Sequence, residues 1–336
     1  MKYPQFIKNG TTVAVAAPSF GIAPDDTDNY NRAKLFFENK GYKVTEAPSL
    51  FKEDLCASAP ASVRAEEFTQ LYEKENNGLI IAATGGETEL LILSHLNADR
   101  LKKASPKWFL GYSDNTVIGY RLLTECDTAS IYGYCVGRFG DIPLHETAIS
   151  TIEVVEGKRN TVKSCDFYRM NRPEEIPGAP RFLECDTPSV WKTLSGKAET
   201  IKGRAIGGCL DLFPSIAGTP YDKTADFVNK YKDDGIFWFL EACDLNPAGV
   251  ARSLWQMKEC GWFENAKGFM FGRPLLDIEY CGYNFISAVK HILGDSLPVI
   301  FDADFGHKPP ILPIVNGSIM TATASDGRGE LTFEFR

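Results

Sequence analysis

The feature that most constrains this chain is an alternation in its first half. Short, continuously apolar runs are each followed by a segment of helical spacing. Residues 11–17 (TTVAVAA), 78–83 (GLIIAA) and 108–112 (WFLGY) carry almost no charge or amide. A strand without a polar face has to be covered on both sides. A further strand is expected at 42–47. The covering segments are legible too. Residues 29–39 place Ala33, Phe36 and Phe37 on one side and end at Gly41, a glycine stop. Helices are likewise expected over 61–75, about 88–96 and about 115–124. Strand and helix alternating in this way predict a parallel sheet with helices on both faces. Ligands of such sheets bind at the carboxyl ends of the strands. Gly85-Gly86 and Ser113 each follow a predicted strand and therefore belong to one rim.

The length of 336 residues suggests two domains. Composition shifts at 171–188, where four of the 19 prolines fall among charges; this stretch reads as a linker or an active-site loop. It separates an N-terminal α/β domain (1–170) from a smaller, strand-rich mixed α+β domain (189–336). Strands are expected there at 203–206, 235–241, 268–271, 299–302, 318–324 and 330–335, interrupted by a helix at 250–260. Lys plus Arg is 36 and Asp plus Glu 44, a net charge of −8, which gives no basic footprint for a nucleic-acid polymer. A hydrophobic content of 44% excludes a disordered chain. The nine cysteines are odd in number and contain no Cys-x-x-Cys pair. That argues against a disulfide framework and a zinc ribbon, and fits a reducing cytoplasm. No apolar run suits a signal peptide or a membrane span. No metal-binding or G-x-G-x-x-G motif occurs, so neither a metal nor a dinucleotide is expected.

Several residues carry candidate chemistry. Ser113, in Gly-Tyr-Ser-Asp-Asn-Thr (111–116), sits where a buried strand turns into a helix. A serine there is exposed beside the first N–H groups of the helix, the physics of a nucleophile elbow. The alternative is that Ser113, Asp114 or Thr116 simply caps the helix. Gly85-Gly86 either supplies an oxyanion N–H or is an ordinary turn. A serine nucleophile needs a base. Of four histidines, His95 reads as structural, and His145 and His291 lack turn chemistry around them. His307 lies in a loop braced by Gly306, Pro309 and Pro310; it is either the base or a surface residue. Glu241 ends the apolar run 236–240 and needs a partner or solvent; Asp244 competes for the role of orienting acid. Cys135 is a rival nucleophile, against the commoner buried thiol.

These residues, with their order along the chain, resemble the LD-carboxypeptidase family of serine peptidases, and within it the microcin C immunity branch. The resemblance runs through VAVAAPSFG (13–21), ATGGET (83–88), GYSDNT (111–116), GRAIGGCLDLFPSIAGTPY (203–221), FWFLEACD (237–244), KGFMFGRP (267–274) and DADFGHKPPILPIVNG (302–317). It implies an N-terminal domain of flavodoxin or class I amidotransferase type. It also implies a Ser–Glu–His triad of Ser113, Glu241 and His307, with the N–H groups of Gly86 and Asp114 as the oxyanion hole. Gly85, Glu87 and Trp191 are the implied substrate contacts; Trp191 either offers an aromatic face able to stack a nucleobase or is an ordinary core tryptophan. No metal or organic cofactor is implied; a cytoplasmic homodimer is. The implied reaction is hydrolysis of an amide bond, in a peptide–nucleotide conjugate or in a murein tetrapeptide. ATGGE in place of an Arg-Gly-Gly pattern leans towards the first. Cys209 stands where the family commonly has asparagine. A rival of another class is a non-catalytic small-ligand binding protein on the same scaffold.

Overall fold

The computed structural model describes residues 1–171 and 181–336. Half of the proline-rich 171–188 segment, residues 172–180, thus lies outside the described residues. The chain forms two compact units. The first comprises Met1–Arg159 with Asn171–Glu184, the second Asn160–Met170 with Cys185–Arg336.

The first unit is built on β1 (Thr12–Ala16), β2 (Lys43–Glu46), β3 (Asn77–Ala82), β4 (Trp108–Gly111) and β5 (Ser130–Tyr132). Its helices are α1 (Thr27–Asn39), α2 (Ala61–Glu73), α3 (Ala98–Lys103), α4 (Thr116–Thr124) and α5 (Glu146–Val155). The strands pair in parallel in the order β5-β4-β3-β1-β2. All of β4, and all but one residue each of β1 and β3, is buried, as apolar runs covered on both faces must be. The order reverses between β1 and β3, the position at which open sheets of this kind bind their ligands. Residues 89–94 form a 3-10 helix where an α-helix over 88–96 was expected; the buried Glu89 in its first turn is fixed by tertiary contacts, not by helical pattern.

The second unit carries β6 (Thr161–Lys163), β7 (Phe167–Tyr168), β8 (Thr187–Pro188), β9 (Lys192–Thr193), β10 (Glu199–Cys209), β11 (Ile236–Glu241), β12 (Ala266–Gly272), β13 (Val299–Ala303), β14 (Ile314–Asn316), β15 (Ile319–Ser325) and β16 (Arg328–Glu334). Eight of these form one mixed sheet in the order β6-β16-β15-β10-β11-β12-β13-β9. Its centre, β10 to β13, is parallel and its flanks are antiparallel. Helices are α6 (Phe213–Ile216), α7 (Thr224–Lys230), α8 (Pro247–Glu259) and α9 (Phe285–Leu293). The sequence expectation named only α8. The signal for α9 was nevertheless present, because Asn284 and Ser287 form a reciprocal capping box at its start. The aromatic side chains of Trp238, Trp262 and Phe213 pack together, with the two indoles stacked at 6.0 Å. Among the described residues no helix is long and apolar enough to cross a membrane.

Candidate active site

In the first unit the rim is organised around Ser113. Its φ is +63°, a left-handed backbone that few side-chain-bearing residues adopt. A 3-10 turn, Ser113–Asn115, then leads into α4. The turn is tight: a Cβ on Gly111 would lie 2.8 Å from that of Asn115. Asn115 stands where an elbow commonly has a second glycine. Its Nδ2 donates to the carbonyls of Thr84 and Tyr112, each at 3.0 Å, tying this turn to the one after β3. A Cβ on Gly85 would lie 3.3 Å from Ser113 Oγ, and one on Gly86 would fall 2.1 Å from Ser19 Oγ. The turns after β1, β3 and β4 therefore pack closely against one another, with no room for a Cβ at Gly86 and little at Gly85. The Ser113 N–H donates to the Tyr132 hydroxyl at 3.2 Å. No acceptor among the described residues engages the N–H of Gly86 or Asp114.

A buried polar network supports this rim, and the sequence reading missed it. The Asp114 carboxylate accepts from the Ser19 hydroxyl and from the Glu89 N–H at 2.9 Å. Glu89 accepts from the Ile118 N–H at 3.2 Å. Arg64 donates to the carbonyls of Ala59, Pro18 and Thr88. Burial, with the Asp114 charge added, pushes the Glu89 carboxyl well above its ordinary range. Burial also raises Asp114, against the hydrogen bond from Ser19. Glu87 points to solvent. Cys135 is 7% exposed, with Asn115 Nδ2 3.6 Å from its sulfur, the setting of a structural thiol.

In the second unit, Glu241 is the last residue of β11 and is fully buried. Its Oε2 lies 2.9 Å from Nδ1 of His307, whose side chain is 15% exposed. Two glycines make room for this pair. A Cβ on Gly306, which has φ +98°, would meet the Glu241 carboxylate at 2.9 Å, and one on Gly272 would meet Glu241 Cβ at 3.0 Å. Asp304 anchors the loop that presents His307. It is fully buried and accepts from Cys165 N–H (2.9 Å), Ser189 Oγ (2.8 Å) and Trp191 Nε1 (2.8 Å), with Arg273 at 2.7 Å. Asp244, the competing acid, is exposed, and its N–H donates to Asp211 Oδ1 at 2.8 Å. The structure brings Glu241, and not Asp244, to the histidine.

Cys209 pairs with Glu241 across β10 and β11. One donor atom each from Cys209, Glu241 and His307 lie within 4.8 Å of one another, a set able to hold a metal. Burial, then the Glu241 charge, raises the Cys209 thiol well above its ordinary value. Burial raises Cys243 as well, opposed by its hydrogen bond to His307.

Trp191 takes the core alternative and not the stacking one. It is 3% exposed, its ring lies against Gly329 and its N–H is held by Asp304. A side chain so enclosed offers no open face to a nucleobase. The other histidines have local roles. His145 caps α5, its Nδ1 accepting from Thr147 N–H at 3.3 Å; a histidine cap is not among the usual capping residues, which hid it. His291 pairs with Tyr283, and His95 follows the 89–94 helix.

Residues 13–133 match the LD-carboxypeptidase N-terminal domain, and residues 202–321 match the LD-carboxypeptidase C-terminal domain. The chain belongs to the LD-carboxypeptidase family. As a member it is a serine-type carboxypeptidase or related hydrolase. Among curated relatives it is 24% identical over 323 residues to a putative carboxypeptidase of Vibrio cholerae, covering 93% of this chain and 92% of that one. It is 24% identical over 319 residues to the microcin C7 self-immunity protein MccF of Escherichia coli, covering 92% and 89%. It is 24% identical over 267 residues to a probable murein peptide carboxypeptidase of Bacillus subtilis, covering 80% and 73%. Among solved structures, the MccF-like protein from Bacillus anthracis superposes with a TM-score of 0.85 at 21% identity, covering 100% of both chains. MccF in complex with glutamyl sulfamoyl guanosine gives 0.81 at 20%, covering 99% and 98%. Muramoyltetrapeptide carboxypeptidase from Oxalobacter formigenes gives 0.72 at 23%, covering 97% and 99%.

Proposed function

We propose that this LD-carboxypeptidase family member hydrolyses an amide bond by acyl transfer to Ser113, with His307 as base and Glu241 as the orienting acid. The observation that carries the reading is the pairing of His307 Nδ1 with a fully buried Glu241 carboxylate at 2.9 Å. A carboxylate held there fixes the imidazole tautomer that leaves Nε2 as acceptor. Nε2 takes the Ser113 proton as Oγ attacks the scissile carbonyl. The N–H groups of Gly86 and Asp114 receive the oxyanion, each donor worth about 10²–10³ in rate. His307 then protonates the leaving amine, and water releases the acyl group by the same route.

For the substrate we propose a small peptide–nucleotide conjugate of the aminoacyl-adenylate type. MccF structures hold aspartyl sulfamoyl adenosine and glutamyl sulfamoyl guanosine, which supports this reading over the murein alternative. Gly85 and Glu87 are the proposed substrate contacts on the rim. A cytoplasmic homodimer, with no metal or cofactor in the reaction, completes the proposal; light scattering on the purified chain tests the dimer.

The deciding assay is mass spectrometry of an aspartyl-adenylate analogue and a murein tetrapeptide ending in D-alanine, each with wild type and Ser113→Ala. The expected result is cleavage of the nucleotide conjugate alone, reduced roughly 10⁴-fold or more by Ser113→Ala. Cleavage of the tetrapeptide alone would reassign the substrate. Cleavage of neither would favour the binding-protein alternative.

A further inference from the structure

Cys209, Glu241 and His307 supply a sulfur, an oxygen and a nitrogen within 4.8 Å of one another. The set is not a by-product of the acid–base pair alone. Cys209 comes from a different strand, β10, and reaches the pair because its position is in register with Glu241. The three donors are of types that zinc and its chemical relatives bind together, at about 2.0–2.3 Å. Donors around a tetrahedral ion of that size sit roughly 3.3–3.8 Å apart, so Glu241 Oε2 and His307 Nδ1, now 2.9 Å apart, would part slightly while the sulfur, within 4.8 Å of both, closes on them. Cys209 and Glu241 are buried, while His307 is partly exposed and gives the approach.

We infer that Cys209, Glu241 Oε2 and His307 Nδ1 form an inhibitory site for a thiophilic divalent cation such as Zn²⁺, with a fourth position left for water. On binding, Cys209 releases its thiol proton to solvent and ligates as thiolate. The proton on His307 Nδ1 is released to solvent and Nε2 takes one up from solvent, so that the ligating ring is the neutral tautomer protonated on Nε2. An Nε2–H cannot accept a proton from a serine hydroxyl. The ion therefore switches off the base. The cation site stands on the second unit's own geometry; only its inhibitory consequence rests on the proposed roles of Ser113 and His307.

The test is titration of the metal-free full-length chain with Co²⁺, read by absorption. The expected result is one equivalent that produces a thiolate-to-cobalt charge-transfer band in the near ultraviolet and is displaced by Zn²⁺. The band should be absent in both Cys209→Ser and His307→Gln. The second variant alters a loop side chain, and so guards against a folding failure in the first; circular dichroism checks both. No band in the wild type, or a band that survives either substitution, would overturn the site. In the hydrolysis assay, Zn²⁺ should inhibit the wild type, with activity restored by a chelator, and Cys209→Ser should need at least about tenfold more zinc. Equal inhibition of the two would overturn the inhibitory assignment, while a chain without hydrolytic activity would still give the cobalt result.

Discussion

Ser113 holds a left-handed backbone conformation at φ +63°, and such strain is kept only where the surroundings enforce it. Glycine would relieve it. Ser113→Gly is expected to raise stability by about 1 kcal/mol in denaturant titration while abolishing hydrolysis; a less stable variant would mean that the turn is not strained. Glu89 gives a second prediction at this scale. Its folded-state carboxyl lies well above the reference value of 4.5, through burial and then the Asp114 charge. Between those two values the folded chain holds a proton that the unfolded chain has lost. Stability from this group is therefore complete below about pH 4.5 and falls as pH rises towards the folded value. Glu89→Gln removes that dependence, so its stability relative to the wild type should grow as pH rises above about 4.5. Parallel stability curves for the two proteins would refute the assignment.

At the scale of elements, the loop after β13 presents His307, and two of its residues control how. Gly306 leaves space for the Glu241 carboxylate; a Cβ at this position would lie 2.9 Å from it, on a backbone with φ of +98°. Gly306→Ala should therefore lower kcat by about 10²-fold through displacement of the imidazole, with little change in KM. Asp304 ties the loop to Arg273, Ser189, Trp191 and Cys165. Asp304→Ala strands the buried Arg273 charge and should cost about 3–5 kcal/mol in unfolding free energy. Much of this was legible in the sequence. The apolar runs of β1, β3 and β4 announced a covered parallel sheet, and Glu241 stood out as a charge at the end of a wholly apolar strand. The supporting carboxylates were not legible. Asp114, Glu89 and Asp304 give no periodicity signal, because their partners come from strand ends far apart in the chain. Trp191 stayed open between a stacking face and a core residue for the same reason: its burial depends on Gly329 and Asp304, more than a hundred residues away.

The whole molecule carries nine free cysteines in graded environments. Cys56, Cys260 and Cys281 are exposed, whereas Cys126, Cys135, Cys165 and Cys209 are buried. Iodoacetamide under native conditions should label the first three and spare the other four, with hydrolysis unaffected. Native labelling of Cys135 with loss of activity would revive the thiol nucleophile in place of Ser113. Peptide mapping by mass spectrometry reads both results.

The two compact units are not consecutive stretches of chain. Asn160–Met170 belongs with the second unit and Asn171–Glu184 with the first, so the polypeptide crosses from one to the other three times. No single cut of the gene can then yield one whole unit. A fragment ending at residue 170 would carry β6, an orphaned edge strand of the other sheet, and would lack the segment that returns afterwards. An excised first unit would have to be respliced, with residues 160–170 replaced by a short connector. For the same reason a protease nick near residue 160 would separate pieces that match neither unit.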